Sequence, residues 1–282
     1  MANTIQIRDF IDYQQLFYHM QYKRSLGGYV LEITQDNVSK QAILLIIKIL
    51  LASRSLTKQE LTTTINGLLN LTTPSDQQEI RPIIRNEQFY YVPVHHGQPL
   101  LRTIWAFSQF ITKKQAVDID YQRQHGECKH YTILPEAVIF SEYYFYIISY
   151  SPEGNGDRFF RADRIRNFHQ APVKITQSYA DRFEDGELRQ HIQYMQPGKK
   201  ITLQFEYWGI VEAALDRFPN AIIKARYPEK DSVLIEAEAY DAEAKMWLLS
   251  QGNLVKVISP ISFKKIIVRE INTTLIKYNA SN

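Results

Sequence analysis

The spacing of the apolar residues changes near Val117, and this change constrains the fold more than any other feature of the sequence. Before it, segment 37–114 carries apolar residues at helical spacing. After it come five short runs rich in β-branched and aromatic residues, namely VDIDY, KHYTIL, AVIF, YYFYIISY and RFFRADRI. We therefore predict an α+β protein, in which a helical N-terminal region precedes a small antiparallel β-barrel.

The N-terminal third is predicted to be one short helix, one β-hairpin and four longer helices. The first helix extends to about His19, and Gly27-Gly28 forms the hairpin turn. Segment 42–52, AILLIIKILLA, is apolar on every face, which predicts a helix buried among others. Thr57 and Glu60 have the spacing of a capping box, and two further helices are expected over 75–86 and 100–112.

The C-terminal third returns to alternating strands and helices. A linking helix is predicted over 176–196, and the pattern after it is β-α-β-β-α-β, which is typical of a ferredoxin-like α/β domain. Gly252 has the position of a helix C-cap. The predicted parts of the chain are therefore 1–36, 37–114, 115–175, 176–197 and 198–282.

Composition argues against several classes of protein. The chain has 282 residues and a net charge of only +3, so any anion site must be local rather than a product of bulk charge. Its single cysteine, Cys128, excludes an internal disulfide and a cysteine-based zinc site. The longest apolar run is too short to span a bilayer, and the N-terminus does not resemble a signal peptide. We expect a cytoplasmic protein with no membrane contact.

No group of residues in the sequence predicts catalysis, a cofactor or a metal. His95-His96 lies in a loop bounded by proline and glycine, and His125, Cys128 and His130 lack a clear third ligand. Asp118 and Asp120 are interpreted as solvent-facing. A nucleophile elbow, a P-loop and a GxGxxG motif are all missing from the sequence.

The run RFFRADRI, residues 158–165, mixes charged and apolar residues on both faces of the predicted strand. One interpretation is an exposed strand in which Arg161 and Arg164 form ion pairs with Asp163. The other is a cationic strand that binds an anionic ligand. Alternation puts Arg161 and Arg164 on opposite faces, so both reach one ligand only if the strand ends or bulges near Asp163.

Several segments together resemble the WYL-domain transcriptional regulators of bacteria. The family's Trp-Tyr-Leu triplet corresponds to Phe145-Tyr146-Ile147, after a proline segment that begins at Pro135. RFFRADRI resembles the next signature strand and departs from it at Ala162, while Tyr121 matches a tyrosine of the first strand. Downstream, Trp247–Gly252 and 255–260 resemble the family's C-terminal extension. The likeness covers about residues 100–280.

The resemblance implies an SH3/Sm-like barrel that senses a nucleotide or nucleic-acid-like effector and controls DNA binding by an N-terminal winged helix-turn-helix. Within 1–36, TIQIRD and GGYVL resemble only the end of such a module, so DNA would bind through a winged helix that is incomplete in this chain. We accordingly expect weak binding to duplex operator DNA. The implied ligand-binding residues are Tyr121, Tyr146, Arg158, Arg161 and Arg164, with Asp163 holding one arginine.

Two functions remain open at this point. The first is an effector-sensing regulator, which we expect to be a homodimer because such proteins bind two half-sites. The apolar helices over 42–69 and the C-terminal domain are the two candidate dimer surfaces. The alternative is a module that binds RNA, single-stranded DNA or a protein without recognising an operator.

Overall fold

The computed structural model of the protein describes residues 18–33, 39–123, 126–151, 156–176 and 198–280. The chain forms two compact units, residues 1–97 and 98–282. Helices and antiparallel sheets are both present, which confirms the predicted α+β class. The predicted N-terminal helix and the linking helix predicted over 176–196 fall almost entirely outside the described residues.

A β-hairpin begins the described part of the first unit. Strands β1 (Tyr18–Lys23) and β2 (Gly28–Ile33) pair antiparallel, and Gly27 takes a φ of +59° in the turn between them. Glycine adopts this left-handed backbone without a Cβ clash, so the hairpin predicted at Gly27-Gly28 is confirmed.

Three helices follow: α1 (Lys40–Ser53), α2 (Lys58–Leu69) and α3 (Pro74–Phe89). Each buries a stripe of residues four apart, because side chains at this spacing share one helix face. The buried residues are Ile43, Ile47 and Leu51 on α1, Leu61, Ile65 and Leu69 on α2, and Ile80 and Ile84 on α3. The capping box predicted for Thr57 and Glu60 is formed at the start of α2.

The prediction that the first of these helices is buried on all sides is wrong. Leu45, Ile46 and Ile49 of α1 are exposed. Leu44 and Leu50 pack partly against the core beside the buried inner stripe, and the exposed residues lie on the side of the helix away from it.

The second unit begins with α4 (Leu101–Lys113), which packs against a five-stranded antiparallel sheet. Its strands lie in the order β6-β5-β4-β3-β7. They are β3 (Val117–Gln122), β4 (Cys128–Ser141), β5 (Tyr144–Ser151), β6 (Gly156–Arg161) and β7 (Ile165–Gln170). Phe107 of α4 is fully buried in one core with Val117, Ile133 and Ile147. We call the face of the sheet that carries this core the inner face, and the opposite face the outer face.

Two predicted strands, KHYTIL and AVIF, are one strand in the structure. The register of β4 against β5 shifts between Pro135 and Ala137, so the proline lies at a bulge within a continuous strand. Proline lacks a backbone N–H, and a bulge is one of the few positions in a sheet that accept it.

RFFRADRI is not the single strand that alternation predicts. Strand β6 ends at Arg161, residues Ala162–Arg164 form one turn of 3-10 helix, and β7 starts at Ile165. A backbone hydrogen bond closes this turn, in which the Ile165 N–H donates to the Ala162 carbonyl.

The predicted closed barrel is also wrong, because β6 and β7 are the two edges of an open sheet. Only three residues join these edges, so they lie within roughly 14 Å of each other at this point. The sheet therefore curls strongly without an edge-to-edge ladder.

A second, four-stranded antiparallel sheet occupies the C-terminal part, in the order β11-β8-β10-β9. Its strands are β8 (Lys200–Tyr207), β9 (Ile222–Tyr227), β10 (Ser232–Tyr240) and β11 (Val255–Ser259). The helices are α5 (Val211–Arg217), α6 (Asp241–Ser250) and α7 (Ile261–Asn279). This element order is the predicted one, and Gly252 takes a φ of +60° just after α6, as a C-cap glycine does.

One cluster joins the two sheets of this unit. On the outer face of the five-stranded sheet, Ala137, Ile139 and Ile148 pack together, and Tyr240 from the end of β10 packs against them. Arg217 also lies 3.5 Å from Glu142, which follows β4. Within the described ranges, no helix is long and apolar enough to cross a membrane.

Candidate functional site

The candidate site is built around Arg161, the last residue of β6. Its Nε and Nη2 donate to the two carboxylate oxygens of Asp163 over 3.0 and 2.9 Å. The 3-10 turn makes this geometry possible, because side chains two apart in an extended strand stand nearly 7 Å apart. The Asp163 side chain is 5% exposed and that of Arg161 19%, so a buried carboxylate holds a partly accessible guanidinium.

Two tyrosines of β5 surround this guanidinium. The Tyr144 ring lies under it, with 3.4 Å between the guanidinium carbon and the ring centroid. Tyr146 is the direct cross-strand partner of Arg161, so the two side chains leave the sheet on the same outer face. A planar cation therefore rests on one aromatic ring beside a second tyrosine.

The electrostatics keep Arg161 charged and Tyr146 neutral. Burial favours a lower pKa for Arg161, but the hydrogen bonds and charge of Asp163, helped by the nearby tyrosines, raise its pKa overall. Burial also raises the pKa of Tyr146, although the positive charge of Arg161 partly opposes this. The site thus offers one permanent cation and a protonated phenol near neutral pH.

Tyr121 reaches the same place from the inner face. The backbone N–H of Arg161 donates to its hydroxyl over 3.3 Å, and its ring meets the edge of Phe160 at a centroid distance of 5.1 Å. Because Tyr121 lies on β3 and Arg161 ends β6, this hydrogen bond links strands that are not neighbours in the sheet. It therefore stabilises the curvature of the sheet at the point where the 3-10 turn begins.

Arg158 lies elsewhere. Its guanidinium carbon is 5.5 Å from the ring centroid of Tyr131, and the Lys129 ammonium is 5.2 Å from the same ring. Arg158 lies two residues before Phe160, which is buried in the inner core, so both side chains leave the sheet on the inner face. The sheet thus carries two cation–aromatic clusters: the Arg161 cluster (Arg161, Asp163, Tyr144, Tyr146) and the Arg158 cluster (Arg158, Lys129, Tyr131).

Residues 103–170 of the chain match the sequence model of the WYL domain. This range runs from the third residue of α4 to the last residue of β7, so it covers the helix and sheet that carry both clusters. The chain therefore contains a WYL domain over residues 103–170.

The structure of the WYL region also explains which letters of the family's triplet differ in this chain. Phe145 and Ile147 point into the core beneath the sheet, where Ile147 is fully buried, while Tyr146 points to the outer face beside Arg161. The two substituted letters are therefore core positions that accept another apolar residue, and the retained tyrosine belongs to the Arg161 cluster.

Two of the solved structures that are similar to the chain share 14% sequence identity with it. Proteasome accessory factor B/C (PafBC) of Arthrobacter aurescens aligns with 93% of this chain at a TM-score of 0.31, and the chain spans 40% of the length of that protein. A CRISPR Cas-related protein aligns with 88% of this chain and 76% of its own at a TM-score of 0.42. Among curated proteins, no sequence matches the chain.

The structure brings together three of the five predicted ligand residues. Arg161, Tyr121 and Tyr146 meet at the end of β6, and the predicted ion pair with Asp163 forms there. Arg158 belongs to the other cluster. Arg164 closes the turn and is half-buried. A ligand-binding role for all five stays a prediction.

Three residues of the clusters were missed at the sequence level. Tyr144 shares a strand face with Tyr146, so its side was predictable, but its stacking on Arg161 was not. Lys129 and Tyr131 belong to a strand with no family motif. Alternation along KHYTIL placed them on one face, yet only the curvature of the sheet, which packs Tyr131 against Phe160 of β6 at a centroid distance of 5.3 Å, brings them near Arg158.

The prediction that Asp118 and Asp120 both face solvent is wrong for Asp118. Its carboxylate is buried and accepts a hydrogen bond from the Thr132 hydroxyl over 2.6 Å. β3 lies between β4 and β7, so side chains of both neighbours cover it. His130 and His169 approach Asp118 within 3.7 and 3.5 Å.

Asp120 is more open, and His130 bonds to it at 3.1 Å. This bond, with one from Asn167, lowers the pKa of Asp120. Across the part of the chain that the structure describes, no three His, Cys, Asp or Glu side chains are grouped as metal ligands would be. His125 lies outside that part.

Proposed function

We propose that this chain is a regulator whose WYL domain senses a nucleotide or a nucleic-acid-like effector at the Arg161 cluster. Binding of the effector would control DNA binding by an N-terminal winged helix, of which the hairpin β1–β2 is the wing. The proposal is for ligand binding and not for catalysis. The observation that supports it is the Arg161 guanidinium, which is held by the buried Asp163 carboxylate and stacks on the Tyr144 ring of β5.

The geometry leaves Arg161 able to bind an anion. A guanidinium has five N–H donors, and Asp163 occupies one at Nε and one at Nη2. The remaining donors are on the edge away from Asp163. The carboxylate therefore fixes the orientation of the fork in advance, which reduces the entropy lost when a phosphate binds.

The tyrosines suit the remainder of a nucleotide. Tyr144 and Tyr146 provide an aromatic face and hydroxyl groups beside the cation. Bases stack on aromatic rings without regard to sequence, and hydroxyls donate to phosphate or sugar oxygens. A ligand with one phosphate and one base fits this combination better than an inorganic anion.

Calorimetric titration with nucleotides and short single-stranded oligonucleotides tests the site. Arg161→Lys keeps the charge but loses the fork, so it should weaken binding by about ten- to a hundredfold, the value of a charge-assisted bond of about 1.5–3 kcal/mol. Arg166→Lys, an exposed position on β7, is the matched control and should bind as wild type does. Equal binding by all three proteins, with normal melting, would place the ligand elsewhere.

The regulatory half of the proposal needs a second measurement. Duplex fragments bound from a random library should be enriched differently with and without the ligand found by calorimetry. Identical enrichment in both conditions would show that the ligand does not affect DNA binding, and it would contradict the proposal that the protein is a ligand-controlled regulator.

The Arg158 cluster favours a second candidate function, direct binding of single-stranded nucleic acid. Lys129 and Arg158 place two cations around Tyr131, and basic grooves with aromatic platforms bind single strands. Loss of oligonucleotide binding in Arg158→Ala, with mononucleotide binding unchanged, would support this function.

The finer architecture belongs to the same proposal. We assign the curled five-stranded sheet as an SH3/Sm-like domain whose edges stay unpaired, and the C-terminal sheet as ferredoxin-like. The second assignment is supported by the strand order, in which the first and third strands of the domain are central.

A further inference from the structure

The outer face of the five-stranded sheet carries two rows of residues that are paired across β4, β5 and β6. The first row is Ile139, Tyr146 and Arg161, and the second is Ala137, Ile148 and Phe159. Side chains that are opposite each other in such a row have Cβ atoms about 4.5–5.5 Å apart. Tyr146 is therefore the direct neighbour of Arg161 on one side and of Ile139 on the other.

Tyr240, the last residue of β10, packs on these rows from the C-terminal sheet. It contacts the buried cluster of Ala137, Ile139 and Ile148, and Tyr146 packs against the same cluster. Because protein interiors are close-packed, a change at one side of a small cluster is felt at the other. The position of Tyr146 therefore depends on the ring of Tyr240.

Arg217, the last residue of α5, makes a second contact with the five-stranded sheet. Its Nη1 lies 3.5 Å from Oε1 of Glu142, and its Nη2 lies 3.9 Å from Oε1 of Glu243, which is buried in the first turn of α6. Glu142 takes a φ of +58° in the turn between β4 and β5, and β5 begins two residues later at Tyr144. Arg217 therefore holds the turn that leads directly to the ring stacked on Arg161.

The segment that supplies Tyr240 and Glu243 is fixed by its own backbone. The Asp241 N–H donates to the carbonyl of Lys199 over 3.0 Å. The Asp241 carboxylate accepts from the backbone N–H groups of Lys199 and Ala242 over 3.0 and 2.7 Å. Lys199 directly precedes β8, so this segment is tied to the first strand of the C-terminal sheet and forms a firm support for the outer face.

We propose that Tyr240 and Arg217 are positioning residues of the Arg161 cluster, so that the C-terminal sheet and its helices form part of the effector site. Tyr240 acts through the apolar cluster on Tyr146, and Arg217 acts through Glu142 on Tyr144. This inference rests on the proposed function, because it concerns the same site. It adds that ligand binding at Arg161 and the packing of the C-terminal sheet on the outer face are coupled, and such coupling is reciprocal.

Nuclear magnetic resonance of the full chain, with carbon-13 at the tyrosine Cζ atoms, tests the Tyr240 contact without a ligand. The resonance that is missing from Tyr146→Phe identifies Tyr146. Its pKa in wild type should lie above the ordinary tyrosine value of about 10, because the residue is buried. Tyr240→Ala should admit water to the outer face and lower the pKa of Tyr146 toward that value, whereas Tyr240→Phe keeps the ring and should leave the pKa unchanged.

Tyr227→Ala is the matched control. Tyr227 is also a half-buried tyrosine that ends a strand of the C-terminal sheet, and its ring lies beside Lys230. The pKa of Tyr146 should keep its wild-type value in this variant. A folded Tyr240→Ala protein with an unchanged Tyr146 pKa would overturn the inference, as would an equal decrease in Tyr227→Ala. If a thermal melt shows that Tyr240→Ala does not fold, Tyr240→Leu replaces it, with the same expected direction and the same contradicting results.

Calorimetric titration with adenosine monophosphate tests whether this positioning matters for binding. Tyr240→Ala and Arg217→Gln should each weaken binding by about five- to tenfold, at the lower end of the usual range for coupled sites. Tyr227→Ala should bind as wild type does. Wild-type affinity in both Tyr240→Ala and Arg217→Gln, with binding that is still weakened by Arg161→Lys, would contradict the inference and leave the proposed function intact.

Failure of the proposed function gives a different result. If wild type binds neither adenosine monophosphate nor the other nucleotides and short oligonucleotides, the proposal of an effector site fails. The pKa of Tyr146 in Tyr240→Ala still decides whether Tyr240 positions that tyrosine, because its measurement requires no ligand.

Discussion

Arg158 and Arg161 are three residues apart on the same strand, yet they have different surroundings. Arg161 forms two hydrogen bonds to a buried carboxylate and lies 3.4 Å from an aromatic centroid. Arg158 approaches a ring at 5.5 Å, on the other face of the sheet. The first guanidinium is held in one orientation by its carboxylate, whereas the described contact of the second is with an aromatic ring.

This difference gives one strand two kinds of cationic surface. A fixed fork suits a single small ligand, because its orientation is set before binding. A cation beside a ring suits a flexible polymer, because stacking and charge tolerate many arrangements. Asp163, two residues after Arg161, creates the difference.

Removing that carboxylate should have the largest effect. Asp163→Asn should lower the free energy of unfolding by about 3 kcal/mol, because it leaves a partly buried guanidinium without its ion-pair partner. Arg158→Ala should cost less than about 1 kcal/mol, since its contact among the described residues is with an aromatic ring. Urea denaturation measures both, and equal losses would remove the distinction between the two arginines.

Tyr121 and Tyr131 allow a finer comparison. Tyr121→Phe should cost about 1 kcal/mol, because the N–H of Arg161 loses its acceptor at the point where the sheet curls. Tyr131→Phe keeps the ring that Arg158 and Lys129 approach, so its unfolding free energy should stay close to that of wild type. Urea denaturation again measures both free energies of unfolding, and a larger decrease in Tyr131→Phe than in Tyr121→Phe would contradict the role given to Tyr121.

The pH dependence of stability should show the smallest effect. Burial raises the pKa of Tyr146 in the folded protein, so the unfolded chain ionises first as pH rises. Stability from this group is complete below the unfolded tyrosine pKa of about 10 and is lost as pH rises through the folded value. Tyr146→Phe should therefore flatten the alkaline limb of a plot of melting temperature against pH. An unchanged limb would show that Tyr146 titrates as freely as an exposed tyrosine.

The sequence was a good guide where local rules decide the outcome. The capping box at Thr57, the turn at Gly27 and the C-cap at Gly252 depend on a few adjacent residues, and all three were predicted. The inner stripe of α1 follows from helical spacing, but the exposure of Leu45 and Ile49 does not, because it depends on what else packs nearby.

Local sequence patterns gave wrong strand boundaries where the pairing of strands determines the structure. Pro135 suggested a strand break, whereas pairing with β5 absorbs it as a bulge. Alternation in RFFRADRI predicted one strand, whereas the chain must pass from one sheet edge to the other and breaks at Ala162 to do so.

By itself, the sequence determined the α+β class, the order of the C-terminal elements, the WYL resemblance and the ion pair between Arg161 and Asp163. These follow from residue type and from spacing over a few positions, which local geometry controls. Only the tertiary structure placed Tyr144 against Arg161, placed Arg158 beside Tyr131 and left Ile271, Leu275 and Tyr278 of α7 exposed. Such contacts depend on strand register and helix packing, which bring together residues distant in the chain, and one residue of register shift would reverse every face.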